Sequence, residues 1–464
     1  MTRESSAELV RGLGLLDSIL LVIGIVIGSG IFLTTGLMAA ELPSPFLIMT
    51  VWAVGGILTV AGALTFAELG AAMPEAGGQY VYLREAYGSL SAFLFGWITL
   101  LVYQPGSIAA VAVGFAAYLG YFVPEWGTDH VLVTVSSGNF VLSLTAGQVV
   151  ASVIIVFLTH LNARGLRAGS LVQNVFTFLK VGAIAAFVLF GLWWTRGNAL
   201  PEAQVAVVRE NSLLTGFGVA LIAALWAFDG WGNLNFSAGE IKDPGRTLPR
   251  ALILGTAAVT VIYLLTNWAY LRALSIPEMQ GVTRVAETAA TALFGPGATS
   301  MIAAAVLVST FGATNGTILT GGRVYYAMAK DGLFFDSVAR VHPRYRTPHV
   351  ALWVQGLWSS VLSLTGTFDQ LFTYAMLGAL IMYGAATASV FTLRRKRPDL
   401  PRPYRVWGYP VLPALYLAAL VALMLNTLSE RPLESILGLV LFLLGVPIYW
   451  FWKARRVAPV PTAE

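Results

Sequence analysis

Ile25-Val26-Ile27-Gly28-Ser29-Gly30-Ile31-Phe32 is the stretch on which the fold turns. It lies midway along the first long apolar run, about residues 15–40. A helix interior made of Gly-Ser-Gly is weak, because each Gly costs about 1 kcal/mol relative to Ala. In hydrocarbon an unpaired backbone group costs several kcal/mol. A broken helix therefore survives there only where it is buried in protein or lines a watery cavity. Such a break offers N–H groups at a positive half-dipole to an anion, and free carbonyls to a cation. An amino acid carries both charges. Small residues also permit a close helix–helix crossing, so this motif alone leaves both readings open.

The rest of the chain supplies the context. Of 464 residues, 57% are hydrophobic and 11% charged, against about 25% charged in a soluble domain. Apolar runs of about twenty residues recur from end to end, each long enough to cross a hydrocarbon core of about 30 Å. The fold class is an all-α polytopic membrane protein. No small-residue cleavage site follows the first run, so it is expected to be retained as the first span. The chain has no Cys, which excludes disulfides, thiolate metal sites and Cys nucleophiles. His130, His160, His342 and His349 are scattered, and no two have metal-ligand spacing. Neither a metal nor any other cofactor is expected. The net charge of +5 comes from loops on one side of the membrane and does not point to nucleic acid.

Twelve spans are expected, at about 15–40, 46–73, 90–121, 144–161, 172–194, 213–238, 250–272, 299–329, 349–366, 370–393, 411–428 and 434–452. With the N-terminus in the cytoplasm, 22 of the 28 Lys and Arg fall on the cytoplasmic side. Five fall outside (Arg196, Arg209, Arg272, Arg284 and Arg431), and Lys180 lies within a span. That split obeys the positive-inside rule and places both termini in the cytoplasm. After span 2, a Gly-rich turn leads into Val81–Tyr87, which reads as a short interfacial helix with Tyr anchors. Pro105 should kink span 3. The outer loop 275–297 holds a helix-like Val285–Phe294 that would act as a partial lid. Arg394-Arg395-Lys396-Arg397 reads most simply as a topology anchor, with lipid headgroups as the lesser alternative.

Span 6 carries a second break, Trp226-Ala227-Phe228-Asp229-Gly230-Trp231-Gly232. An acid at mid-span is costly and marks a functional site by default; capping a half-helix is the plainer role for Asp229. Spans 1 and 6 each open a set of five. With five spans per unit, the second must enter from the opposite side. Interrupted helices at equivalent positions of inverted halves point to a transport site. The expected organisation is one five-helix repeat over 1–194, an inverted one over 195–393, and spans 11 and 12 with a cytoplasmic tail over 394–464. Lys180 lies about eight residues, hence about 12 Å, inside span 5. A buried ammonium needs carbonyls or an acid. It reads either as a structural tie between helices or as a cation near the first break.

Taken together, these motifs resemble the amino acid–polyamine–organocation transporter superfamily, and within it the prokaryotic members of the L-type amino acid transporter family. They run from Gly24-x-x-x-Gly28-Ser29-Gly30-Ile31-Phe32 through Ala67-Glu68-Leu69-Gly70-x-x-x-Pro74-x-x-Gly77-Gly78-x-Tyr80 and Val172-Gln173 to Lys180. Phe228-Asp229-Gly230-Trp231, Glu240-x-x-x-Pro244-x-Arg246-x-x-Pro249, Phe311-Gly312-x-x-Asn315-Gly316 and Arg323 follow in the family's order.

The resemblance implies a five-plus-five inverted repeat in which spans 1 and 6 move with 2 and 7 against 3, 4, 8 and 9. It implies that the substrate carboxylate meets Gly28, Ser29 and Gly30, beside Val26 and Ile27. The amine would meet carbonyls near Val26, Trp226 and Asp229, with Ala227, Phe228 and Gly230 completing the second break and Ser107 contributing from span 3. Trp226 falls at the family's aromatic gate. Lys180, with Ser309 and Thr310, falls where sodium-coupled carriers of this fold hold sodium, which argues against sodium coupling. The eukaryotic branch links to a glycoprotein through a loop Cys after span 3. This chain, lacking Cys, makes no disulfide-linked heavy-subunit pair. Asp229 stands where eukaryotic members carry a small residue.

The function so implied is secondary transport of an amino acid across the plasma membrane, as a sodium-independent exchanger of neutral L-amino acids. Proton-coupled symport with Lys180 cycling its proton, and a cationic amino acid or polyamine carrier using Asp229, remain as alternatives. No nucleophile–base pair or intramembrane metal set supports an enzyme, and two inverted breaks fit alternating access better than a channel. The partners implied are the amino acid substrate and membrane lipid.

Overall fold

The structure is a computed structural model that describes residues 8–137, 140–194, 212–366, 368–430 and 432–457. Arg3, Arg196, Arg209 and Arg431, the boundary expected after residue 194, and the tail beyond 457 lie outside the described residues. Among the described residues, ten helical segments are long and apolar enough to cross a membrane.

The first of these is broken where the sequence predicts: α1 (Leu15–Val26) gives way at Ile27–Ser29 to α2 (Gly30–Glu41). α3 (Pro45–Ala72) is capped by the Ser44 hydroxyl. It leads through α4 (Gln79–Tyr87) to a long third span made of α5 (Ser89–Ile98), a π-turn at Thr99–Tyr103 and α6 (Gln104–Phe122). α7 (Ala146–Ala163) and α8 (Leu166–Trp194) complete the first half. α9 (Leu213–Phe228) then breaks at Asp229–Gly230 into a 3₁₀ segment, Trp231–Glu240. Next come α10 (Pro244–Ala273), α11 (Ile276–Met279) and α12 (Val285–Phe294). The chain closes with α13 (Gly297–Lys330), α14 (His349–Thr365), α15 (Phe368–Lys396), α16 (Val411–Glu430) and α17 (Pro432–Val457).

Three features differ from the sequence reading. The all-α expectation misses a two-stranded antiparallel ribbon, β1 (Val131–Ser137) and β2 (Phe140–Thr145). Its runs are rich in Val, Leu and Thr, which favour strands. α8 starts at Leu166 rather than near 172, so Lys180 lies fourteen residues along it, about 21 Å from its start. Of the tyrosines of α4, only Tyr87 is exposed, and the others face protein rather than serving as surface anchors. Tyr80, Val81, Tyr82 and Leu83 are all buried. Tyr80 donates to Asp331 (2.9 Å) and Tyr82 to Asn235 (3.0 Å), which locks α4 against α13 and the 3₁₀ segment.

Packing places the two breaks together. α2 lies against α9, and α1 against α10, α8 and α13. Gly30 is what permits this approach: a Cβ there would sit 2.7 Å from Ala227 Cα and 3.2 Å from Trp226. At the far end of the two helices, Gly12 and Leu13 N–H both donate to Glu240 O, and Lys242 N–H returns to Leu13 O. Glu240 is fully buried and meets Arg323 through two bonds, at 2.6 and 3.0 Å. Arg323 also donates to Leu319 O.

On the opposite face, α12 covers α2 and α13. Arg284 anchors it, donating to Ala117 O at 3.0 Å and stacking on Tyr118. Burial pushes the Glu287 carboxyl above its ordinary pKa, and neighbouring Arg284 pulls it back. Arg394, from the run expected as a topology anchor, is also a tether. It binds the Glu68 carboxylate of α3 at 2.9 and 2.6 Å.

Candidate functional site

A cleft with about 410 Å³ of empty space lies between the two breaks, in the buried middle of the molecule. Ile25, Val26, Gly28, Ser29 and Gly30 line it from the first break, and Trp226, Ala227, Asp229 and Gly230 from the second. Gln104, Ser107 and Val111 of α6, Asn233 and Thr317 complete it.

At the first break, Ile27 takes ψ 83°, and Gly28 N–H turns back to Val26 O at 2.8 Å. The helix resumes at Gly30, where Phe32 N–H returns to Ser29 O at 3.0 Å, leaving the N–H groups of Gly30 and Ile31 at the positive end of the α2 dipole. The hydroxyls of Ser29 and Ser107 are buried without a partner. Orphaned donors beside free N–H groups form an anion cradle of carboxylate character.

At the second break, Asp229 ends α9 in an extended conformation and Gly230 adopts φ 98°. A Cβ at Gly230 would meet Ile25 Cγ2 at 2.4 Å, so this position demands Gly both for its dihedral and for its neighbour. Asp229 is half-buried. Its Oδ1 accepts from Tyr383 at 2.7 Å and from Tyr103 at 3.1 Å. The backbone of Asp229 ends α9, while its carboxylate makes no helix cap and faces the cleft.

Two of the carbonyls expected to receive a substrate amine already have partners. Val26 O accepts from Gly28 N–H and from the Tyr263 hydroxyl at 2.9 Å, and Trp226 O accepts from Asp229 N–H at 3.0 Å. Tyr263 also contacts Ala227 O at 2.8 Å. Its single proton is therefore shared between the two breaks.

Lys180 sits behind the first break rather than in the cleft. It is fully buried and donates to Gly24 O (2.9 Å), Ile27 O (2.6 Å) and Ser309 O (2.7 Å). Three carbonyls satisfy the three donors of an ammonium. The Ser309 hydroxyl reaches Ile27 O and Gly28 O, each at 3.0 Å. Thr310 does not join this cluster. Its hydroxyl bonds Val306 O and Leu307 O of its own helix, the usual fate of a Thr inside a helix.

Phe228 faces away from the cleft and packs on Trp52 and Tyr263. Ile27 contributes a carbonyl to Lys180 rather than a surface to the cleft. Tyr263, Gln104, Asn233 and Thr317 went unread in the sequence. A polar residue beside the helix-kinking Pro105 was the available signal for Gln104, and position three residues past a break was the signal for Asn233. Nothing local marks Tyr263 or Thr317.

Residues 13–446 match the amino acid permease family. The chain belongs to that family. It is 34% identical over 453 residues to the serine/threonine exchanger SteT of Bacillus subtilis, covering 97% of this chain and 98% of that protein. It is 32% identical over 452 residues to the human b(0,+)-type amino acid transporter 1, covering 96% and 88%. Human large neutral amino acids transporter small subunit 2 shares 30% over 465 residues, covering 96% and 82%. The resemblance drawn from the motifs is therefore correct at the family level, and the permease is a multi-pass membrane transporter rather than an enzyme.

Proposed function

We propose that this permease is an exchanger of neutral L-amino acids that works by alternating access, without sodium. The observation that carries the reading is the cleft between two broken helices. One end holds unpartnered serine hydroxyls and a helix N-terminus suited to a carboxylate. The other has polar groups and carbonyl edges suited to an amine. Near-full-length similarity to a serine/threonine exchanger supports exchange as the mode and a small neutral amino acid as cargo.

The finer architecture belongs to the same reading. α14 and α15 join the ten segments as spans nine and ten of twelve. The breaks in spans 1 and 6 occupy equivalent places in inverted five-helix halves, and both termini are cytoplasmic in the plasma membrane. Ser29, Gly30 and Ser107 hold the carboxylate, and Trp226 shields the bound substrate. Lys180, bonded to three carbonyls, stands as a built-in cation where a coupling ion would otherwise tie the first break to α13.

Counterflow in proteoliposomes tests the proposal. Vesicles loaded with an unlabelled neutral L-amino acid should accumulate external radiolabelled L-serine, and empty vesicles should not. Replacing sodium with choline at constant ionic strength should leave the initial rate nearly unchanged. Equal uptake by empty vesicles would refute exchange, and a steep sodium dependence would refute the role given to Lys180.

A further inference from the structure

Asp229 is the one acidic side chain lining the cleft among the described residues, and two tyrosines converge on it. Their hydroxyls lie 3.2 Å from one another and both reach the same oxygen, Oδ1.

Each tyrosine is placed by its own element, not by the acid. Tyr103 closes the π-turn at Thr99–Tyr103, where Gln104 N–H bonds Thr99 O across five residues. Pro105 has no N–H to return to Leu101 O, and the Trp358 indole takes that carbonyl instead, at 3.0 Å. The altered turn is thus held from outside, and π-turns of this kind recur at functional sites. Tyr383 stacks on Trp231, with centroids 5.0 Å apart and planes at 11°, and Phe66 packs edge-on against both rings. Both tyrosines are buried.

A buried carboxylate demands donors. A cationic side chain in the cleft would supply them, as would two preset phenols. The phenols, which are not part of the cleft lining, spend their only protons on one oxygen of the acid. We propose that Tyr103 and Tyr383 form a clamp on Asp229 that sets selectivity, excluding cationic amino acids in favour of neutral ones. This rests on the reading of the cleft as an amino acid site. Its logic is a difference of affinities: the two phenols already stabilise the carboxylate through Oδ1 in the absence of a cation, so a lysine or arginine side chain gains less by pairing with it.

The test measures inhibition of radiolabelled L-serine counterflow by unlabelled L-serine and by L-lysine. The wild type, the double variant Tyr103→Phe/Tyr383→Phe and the same double variant carrying Asp229→Asn are compared. The readout is the ratio of lysine potency to serine potency. It should rise at least tenfold in the double variant and fall back when Asp229→Asn is added. An unchanged ratio in the double variant, or effective lysine exchange by the wild type, overturns the clamp.

If the double variant loses serine exchange altogether, thermal stabilisation of the purified proteins by lysine gives the answer. Stabilisation of the double variant but not of the wild type supports the clamp, and stabilisation of neither or of both overturns it. Absence of any neutral exchange by the wild type refutes the proposed function itself, and the thermal arm then judges the clamp independently.

Discussion

Gly30 shows how much one missing side chain decides. Its hydrogen stands where a Cβ would press on the Ala227 backbone and the Trp226 ring, so the two breaks approach only because the residue is Gly. Gly30→Val should therefore abolish exchange, since the Ala227 contact is backbone and cannot swing aside. Ser29 differs. Its hydroxyl has no partner within the protein, so Ser29→Ala removes only a bond to substrate. Affinity for L-serine should fall by about 0.5–1.5 kcal/mol, or about twofold to thirteenfold, in isothermal titration of the purified protein. Normal exchange by Gly30→Val would make the break a packing feature with no role in binding.

At the scale of elements, the broken first span is held by what surrounds it. Its freed carbonyls, at Gly24, Val26, Ile27 and Gly28, are taken by Lys180 of α8, Tyr263 of α10 and Ser309 of α13. Lys180→Ala strips the donor from Gly24 O and weakens the tie at Ile27 O, at about 1–3 kcal/mol for each group left unpaired. The balance between outward- and inward-open forms should shift. Exchange should collapse, while size-exclusion chromatography shows the protein still folded. A different outcome would assign Lys180 to proton coupling: uphill uptake driven by a pH gradient would be lost, with exchange at equal substrate concentrations intact. α12 matches the helix read from the sequence at Val285–Phe294. The reading of α4 missed its protein contacts because aromatic residues look alike whether they face lipid headgroups or protein. Only the partners Asp331 and Asn235, some 150 residues or more away in the chain, decide that.

For the whole molecule, the distribution of Lys and Arg predicts sidedness. With no native Cys, single replacements report cleanly. Asp129→Cys should react with an impermeant maleimide on intact cells, and Lys396→Cys only after permeabilisation. Both positions are exposed, and the reverse pattern would invert the topology. The polytopic helical class, the two breaks and the family were legible in the sequence because each depends on local composition. Long apolar runs must be helical in a bilayer, Gly-Ser-Gly and Asp-Gly interrupt helices wherever they stand, and ordered motifs identify a family. Tertiary structure decided which residues meet. It sent Thr310 back to its own helix, turned Phe228 away from the cleft, and brought Tyr263, Gln104, Asn233 and Thr317 to the site. It also brought two tyrosines, 126 and 154 positions away, onto one oxygen of Asp229. Hydrogen bonds over such separations follow from helix crossings and side-chain direction, and neither is written in the order of residues along one span.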